Sequence, residues 1–321
     1  MSMTRREALA AAAVAGVGAM ANFKPAQAAP AAEASSSANK APAKLRLSSQ
    51  ESVIPGKSLA EKLDKMEKWG FEGLEVNGHD LKNRVKELQT ALKGRKIQMS
   101  AICAGFEGCL LSTDEAVRKQ CFDTTKEILT AAGELGSVGM IIVPSFTDQD
   151  NKGTMPHKQA REALTGFARW DAKDRKRQGT MLQELGDFAA KAGTRLLLEP
   201  LNRGECYFLR TLADGASMCR DLENPGVALM GDFWHMTWEE NSDMGAFLTG
   251  GKYLKHVHMA SRGSRNMPGD DGEADNYVDG FKGLKMLGYQ GFVSLECGCK
   301  GDRDKRIPEA VALLRKQWAE A

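Results

Sequence analysis

The sequence predicts an α/β protein folded as a (β/α)8 barrel, and three observations carry that prediction. From Lys44 onward, eight short apolar runs alternate with longer stretches of helical period. The runs are largely continuous, as in parallel strands covered on both faces. The first ends in Ser48-Ser49-Gln50, without the G-x-G-x-x-G phosphate cradle of a doubly wound open sheet.

The strands are expected at 44–49, 71–77, 97–102, 139–144, 194–199, 227–232, 254–259 and 291–296. Between them, Leu59, Leu63, Met66 and Trp69 fall on one helical stripe that Gly70 stops. Ser112-x-x-Glu115 is a capping-box signal for a helix over about 114–132. Further helices are expected at 176–192, 211–221, 279–287 and 307–319. The stretch 147–175 is long for a strand–helix connection and sits on the expected active face, where it could form a lid.

Three segments are expected. Residues 1–28 read as a twin-arginine export signal: Arg5-Arg6, then the weakly apolar stretch from Ala8 to Ala21, then Ala26-Gln27-Ala28 as a cleavage site. Residues 29–43 are Ala/Ser/Pro-rich and read as a flexible linker, leaving 44–321 for the barrel. The expected location is periplasmic or secreted, with no stable membrane anchor after cleavage, since no later run reaches the length of a span.

The chain of 321 residues carries 44 basic and 42 acidic side chains. Residues 1–28 hold Arg5, Arg6, Lys24 and Glu7, so their removal leaves 41 of each sign. That balance argues against nucleic acid as a partner. Seven cysteines, an odd number, predict mostly buried or free thiols, with room for one bridge, rather than a disulfide framework. A homo-oligomer is compatible with the fold, but no interface stripe marks one.

Chemistry in such a barrel sits at the C-terminal strand ends. The fifth strand ends in Glu199, the sixth in Asp232, the seventh carries His256-Val257-His258, and the eighth ends in Glu296. Two Glu, one Asp and one His suit a divalent ion such as Mn, Co, Mg or Zn. Each also has a plainer reading: Glu199 and Glu296 could open surface loops, and Asp232 and His235 could cap the next helix. His256 and His258 share one strand face. His258, nearer the strand end, is the expected ligand, with His256 behind it or in the core.

The segments EPLNRGE (199–205), DFWHM (232–236), HVH (256–258), RNMPG (265–269) and GYQGFVSLE (288–296) resemble the sugar isomerase/epimerase superfamily. The resemblance runs from about Leu45 to Glu309. It implies a xylose isomerase-like TIM barrel, with the ketose 3-epimerase and inosose-processing branches nearest in pattern. It further implies that Glu199, Asp232, His258 and Glu296 bind one divalent metal ion. Glu199 and Glu296 would be the acid/base pair, and Glu205, His235 and Arg265 would hold sugar hydroxyls. The spacing from His258 to Arg265 is one residue longer than that pattern, so Arg262 is a rival. The run Asp270–Asp275 is unusually acidic for a sugar clamp.

Such a site abstracts a proton beside a carbonyl and stabilises the enediolate. The expectation is an enzyme that isomerises or epimerises an unphosphorylated sugar or keto-sugar. The alternatives are a lyase or dehydratase acting on a keto-glycoside or inosose, and a non-catalytic sugar-binding protein of the envelope. Nuclease activity would call for more histidines at the second and third strand ends, where only His79 stands.

Overall fold

The computed structural model describes residues 41–144, 153–166 and 180–321. The export segment 1–28, linker residues 29–40, and 147–152 and 167–175 of the long insert lie outside the described residues. Eight parallel strands close into a barrel in sequence order. They are β1 (Arg46–Gln50), β2 (Gly73–Asn77), β3 (Gln98–Cys103), β4 (Met140–Ile142), β5 (Leu196–Leu198), β6 (Val227–Asp232), β7 (Leu254–Met259) and β8 (Phe292–Leu295). Each expected strand is present.

Among the described residues, the helices outside the barrel are α1 (Leu59–Trp69), α2 (Leu81–Leu92), α3 (Glu115–Glu134), α4 (His157–Thr165) and α5 (Met181–Lys191). Then follow α6 (Leu212–Leu222), α7 (Phe233–Glu239), α8 (Asp243–Gly250), α9 (Val278–Leu287) and α10 (Arg303–Glu320). α1 shows why the pattern was readable. Ser58 Oγ accepts from Glu61 N–H at its start, Gly70 at φ 81° ends it, and Leu63 and Met66 are buried.

α3 differs from the expectation. Its cap is Asp114, which accepts from Ala116 N–H, while Ser112 Oγ accepts from Asp114 N–H. Ser112 is instead bridged to Thr154, which holds it outside the helix. The described part of the long insert contains α4, which sequence periodicity did not suggest. Ala160 and Leu164 are buried, and Arg161 pairs with Asp221 of α6 at 2.7 Å, so this part is packed rather than free to swing.

The main apolar core lies between strands and helices, and a small one fills the barrel with Ala101, Ile141, Leu197, Ala228 and Met230. Close helix–strand approach needs glycine at Gly226, where a Cβ would come 1.9 Å from the Gly186 carbonyl oxygen. None of the seven cysteines forms a disulfide. Strand alternation sends Leu197, Met230 and Ser294 inward, and two residues further on the same faces carry Glu199, Asp232 and Glu296 to the mouth.

Candidate active site

The four expected ligand residues converge. Glu199, Asp232, His258 and Glu296 each offer one ligand atom, and these atoms all lie within 4.8 Å of one another. The register explains part of this, because Asp232 pairs with His258 and His258 with Ser294 across adjacent strands. His258 Nδ1 is 3.1 Å from Glu296 Oε2 and 3.7 Å from Glu199 Oε1. Asp232 does two jobs. Its Oδ1 caps α7 by accepting from Trp234 N–H at 2.8 Å, and its Oδ2 faces the cluster. The helix-cap and ligand readings are therefore compatible.

A divalent ion fits this donor set. Glu199 Oε1, Asp232 Oδ2 and His258 Nδ1 are buried and have no hydrogen bond. Leaving such atoms unsatisfied costs about 1–3 kcal/mol each. The set is hard oxygen plus one imidazole, which suits Mn, Co, Mg or Zn. Charge points the same way. Among the described residues, Arg265 is the permanent cation touching the cluster, at 2.8 Å from Glu296 and 3.7 Å from Asp232.

Electrostatics separates the carboxylates. Burial pushes Asp232 up to about 6, with the Glu296 charge adding to it. Burial also raises Glu199, against the pull of His258. Burial would raise Glu296 too, but His258 and Arg265 hold it well below the usual range. Burial disfavours a charged His258, yet Glu75 and Glu296 outweigh it and hold that imidazole protonated far above its ordinary value.

The three residues expected to hold hydroxyls stand beside the cluster. Arg265 Nη1 is 3.6 Å from Glu205, and its guanidinium lies 4.4 Å from the Trp234 ring centre. His235 Nδ1 accepts from the Asn202 backbone N–H at 3.1 Å. Its Nε2 therefore carries the proton, and this buried atom has no hydrogen bond of its own. Burial keeps the ring neutral. His235 thus presents one N–H donor beside Glu199 and Asp232, 4.0 and 3.6 Å away.

Arg262, the rival of Arg265, does structural work. It donates to the Phe233 carbonyl and to Asn276 O, pairs with Asp243, and lies over the Phe233 and Tyr277 rings. The acidic run is likewise a frame for the loop. Asp275 accepts from the N–H groups of Arg262, Gly269 and Asp271. Asp271 accepts from those of Gly263 and Ser264, and Asp270 pairs with Arg306. These bonds hold the turn in which Arg265 takes φ 53°, a strained value for a residue with a side chain.

Sequence reasoning missed two residues. Glu75 on β2 is fully buried and accepts from His256 Nε2 at 2.8 Å, His258 Nε2 at 3.0 Å and Gln50 Nε2 at 3.0 Å. It takes the Nε2–H of His258, so that Nδ1 is the nitrogen facing the cluster and the one an ion would hold in place of its proton, the usual way a carboxylate supports a ligating imidazole. His256 accordingly stands behind the cluster. The available signal was a carboxylate between Leu74 and Val76 in a strand expected to be covered on both faces. Asn202 is the other: its amide donates to Glu205 at 3.1 Å and meets His235 Nδ1 at 2.9 Å, so one residue orients two.

Residues 63–317 match the family model of the xylose isomerase-like TIM barrel. The chain is 30% identical over 276 residues to 3-dehydro-D-guloside 4-epimerase of Escherichia coli (strain K12), covering 84% of this chain and 99% of that one. It is 26% identical to a probable ketose 3-epimerase of Synechocystis, covering 77% and 80%. Among solved structures, apo 3-keto-D-glucoside 4-epimerase from E. coli superposes with a TM-score of 0.72 at 27% identity, covering 85% of this chain and 100% of that one. With the barrel, the strand-end cluster and these matches together, the chain belongs to the xylose isomerase-like TIM barrel family.

Proposed function

We propose that this enzyme, a sugar epimerase or isomerase, uses one divalent metal ion to invert a carbon next to the carbonyl of an unphosphorylated keto-sugar. The observation that carries the reading is the meeting of Glu199, Asp232, His258 and Glu296 around one point, with unsatisfied buried atoms aimed at it. The E. coli relative is named an epimerase of a dehydro-guloside, which supports inversion over elimination. The paired carboxylates speak against a purely binding role.

When bound, the ion supplies Lewis-acid stabilisation of charge on two substrate oxygens, worth several kcal/mol at the transition state. The chain does the rest. Glu199 and Glu296 come from β5 and β8, with β6 and β7 between them, and so flank the cluster. One takes the proton beside the carbonyl, and the other returns a proton to the opposite face, which inverts the centre. His235 Nε2–H and Arg265 donate to the substrate oxygens, and Glu205 accepts from a hydroxyl. Asn202 holds Glu205 and His235 in position, and Glu75 holds His258 and, through Gln50, Glu296.

The test is incubation of metal-loaded protein with a panel of keto-sugars and keto-glycosides in D₂O. The expected product has a new configuration and one solvent deuterium at the inverted carbon. Loss of water or of an aglycone would identify elimination instead. Failure to turn over any keto-sugar with metal bound would refute the reading. We also propose that Arg5 and Arg6 direct export. Replacing both with Lys is expected to retain the protein in the cytoplasm, and unchanged export would refute this.

A further inference from the structure

A cavity of about 420 Å³ opens off the site on the β1–β3 side of the barrel mouth. Its inner wall includes Glu296, and its outer wall is made by Glu51, Ser52, Asn77, Lys62 and Arg84. Glu205, His235 and Arg265 lie on the β5–β7 side, and none of them lines it. The two oxygens of Glu296 mark the division. Oε2 meets His258 and Arg265, whereas Oε1 accepts from Gln50 Nε2 at 3.0 Å on the cavity side. A sugar held over the ligand cluster therefore has open, walled space beyond Glu296.

The chemistry of this space is specific. Among the described residues, no aromatic or branched aliphatic side chain lines it. Lys62 Nζ and Arg84 Nη1 both pair with Glu51, at 3.2 and 2.9 Å. Burial would raise Glu51, but these two cations hold it below its ordinary value, so it stays an acceptor. Arg84 gives Nε to Glu87, leaving its Nη2 donors for a ligand among the described residues. Asn77 Oδ1 is engaged by His79 N–H, leaving its amide nitrogen to donate. The wall thus mixes fixed donors and a fixed acceptor, as hydroxyl groups require. Among the described residues it offers no stacking face, and with Glu51, Glu75 and Glu296 set against Lys62 and Arg84 its lining carries more negative than positive charge, which opposes a carboxylate or phosphate. Sequence spacing gave no sign of the Lys62–Arg84 pair, which comes from two different helices. The volume equals about fourteen liquid-water volumes, room for a hexosyl unit beside the reacting one.

We propose that this cavity is a binding subsite for a neutral, hydroxylated aglycone, so that the substrate is a keto-glycoside carrying a second sugar rather than a free keto-sugar. The proposal rests on the keto-sugar reading above and specifies its substrate. Lys62, Arg84 and Asn77 donate to the second sugar's hydroxyls, and Glu51 accepts from them.

The experiment compares kcat/KM for one keto-sugar carrying a methyl aglycone and the same keto-sugar carrying a glucosyl aglycone. The wild-type enzyme is expected to favour the glucosyl compound at least tenfold. Arg84→Met and Lys62→Met should each reduce that ratio at least fivefold. As a check needing no variant, the unoxidised disaccharide should inhibit the wild-type enzyme at least tenfold more tightly than the unoxidised methyl glycoside. Equal kcat/KM for the two substrates, or a ratio untouched by either variant, overturns the subsite while leaving the epimerase reading in place. Absence of turnover on both compounds and on free keto-sugars, with metal bound, removes the parent reading and the subsite together.

Discussion

Replacing Glu75 with Gln tests how the site is held together. The Glu75 carboxylate accepts from three side-chain nitrogens inside the barrel. A glutamine keeps one acceptor oxygen but turns an amide NH₂ toward groups that are themselves donors, so at least one buried donor loses its partner. That costs about 1–3 kcal/mol. The titration of Glu75 gives a similar figure. Burial alone would raise it, but His258 and His256 pull it from 4.5 down to about 2, which corresponds to about 3 kcal/mol. The sign follows from the direction. A depressed carboxyl pKa stabilises the fold fully above about 4.5, and the contribution is lost as pH falls through about 2. The metal-free variant should therefore be less stable at pH 7 by about 2–3 kcal/mol in chemical denaturation and should show less acid sensitivity in that window. Calorimetric titration with Mn²⁺ should show affinity reduced about 10- to 100-fold, as for other carboxylates behind a ligating histidine. An unchanged denaturation midpoint together with metal affinity within threefold of wild type would refute the assignment.

Glu296→Gln at saturating metal should lower turnover by about 10²–10⁴-fold, measured by product formation alongside metal content. More than a tenth of wild-type turnover with metal bound removes Glu296 from the proton-transfer pair. Arg265→Ala should abolish most activity of the metal-loaded protein with little change in melting, whereas Arg262→Ala should lower stability by about 2–4 kcal/mol by leaving Asp243 without its partner. The reverse pattern would exchange the two roles. Chelation should lower the melting temperature, and a free divalent ion at a hundred times its Kd should restore about 2.7 kcal/mol, about 5–10 °C for a barrel of this size. No shift with Mn, Co, Mg or Zn would defeat the four-ligand centre.

The strands were legible because a parallel barrel strand is covered on both faces and reads as an apolar run whatever its neighbours are. The four cluster residues were legible for a related reason: a charge at the end of such a run has to be accounted for. Glu75 was harder because Glu72 precedes it in the same segment. Glu72 pairs with Arg46 at the surface, while Glu75 is fully buried. Only closure of the barrel decides which of the two faces inward. α7 and α8 are short and lean on tertiary contacts, with Asp232 and Ser242 supplying their caps, so periodicity had little to register. The choice between Arg262 and Arg265 depends on a turn stabilised by aspartates from up to 13 positions away, which spacing along the chain does not encode.

The barrel divides its labour by strand. β5 to β8 and the loops after them deliver the groups that would touch the reacting carbon, and the loop aspartates and Asn202 fix those groups. β1 and β2 deliver support and space: Gln50 ties Glu75 to Glu296, each at 3.0 Å, and the cavity begins where that tie ends. The division has a physical basis. Four strand ends already crowd acidic oxygens around one imidazole, and Asp232 and Glu199 both resist ionisation there. Further carboxylates on the same half would raise that cost without adding a ligand position. Variation in substrate size is cheaper on the other half, where Glu51 is already neutralised by two cations. Changes in α1 and α2 can therefore reshape what lies beyond the reacting sugar while the ligand cluster stays fixed.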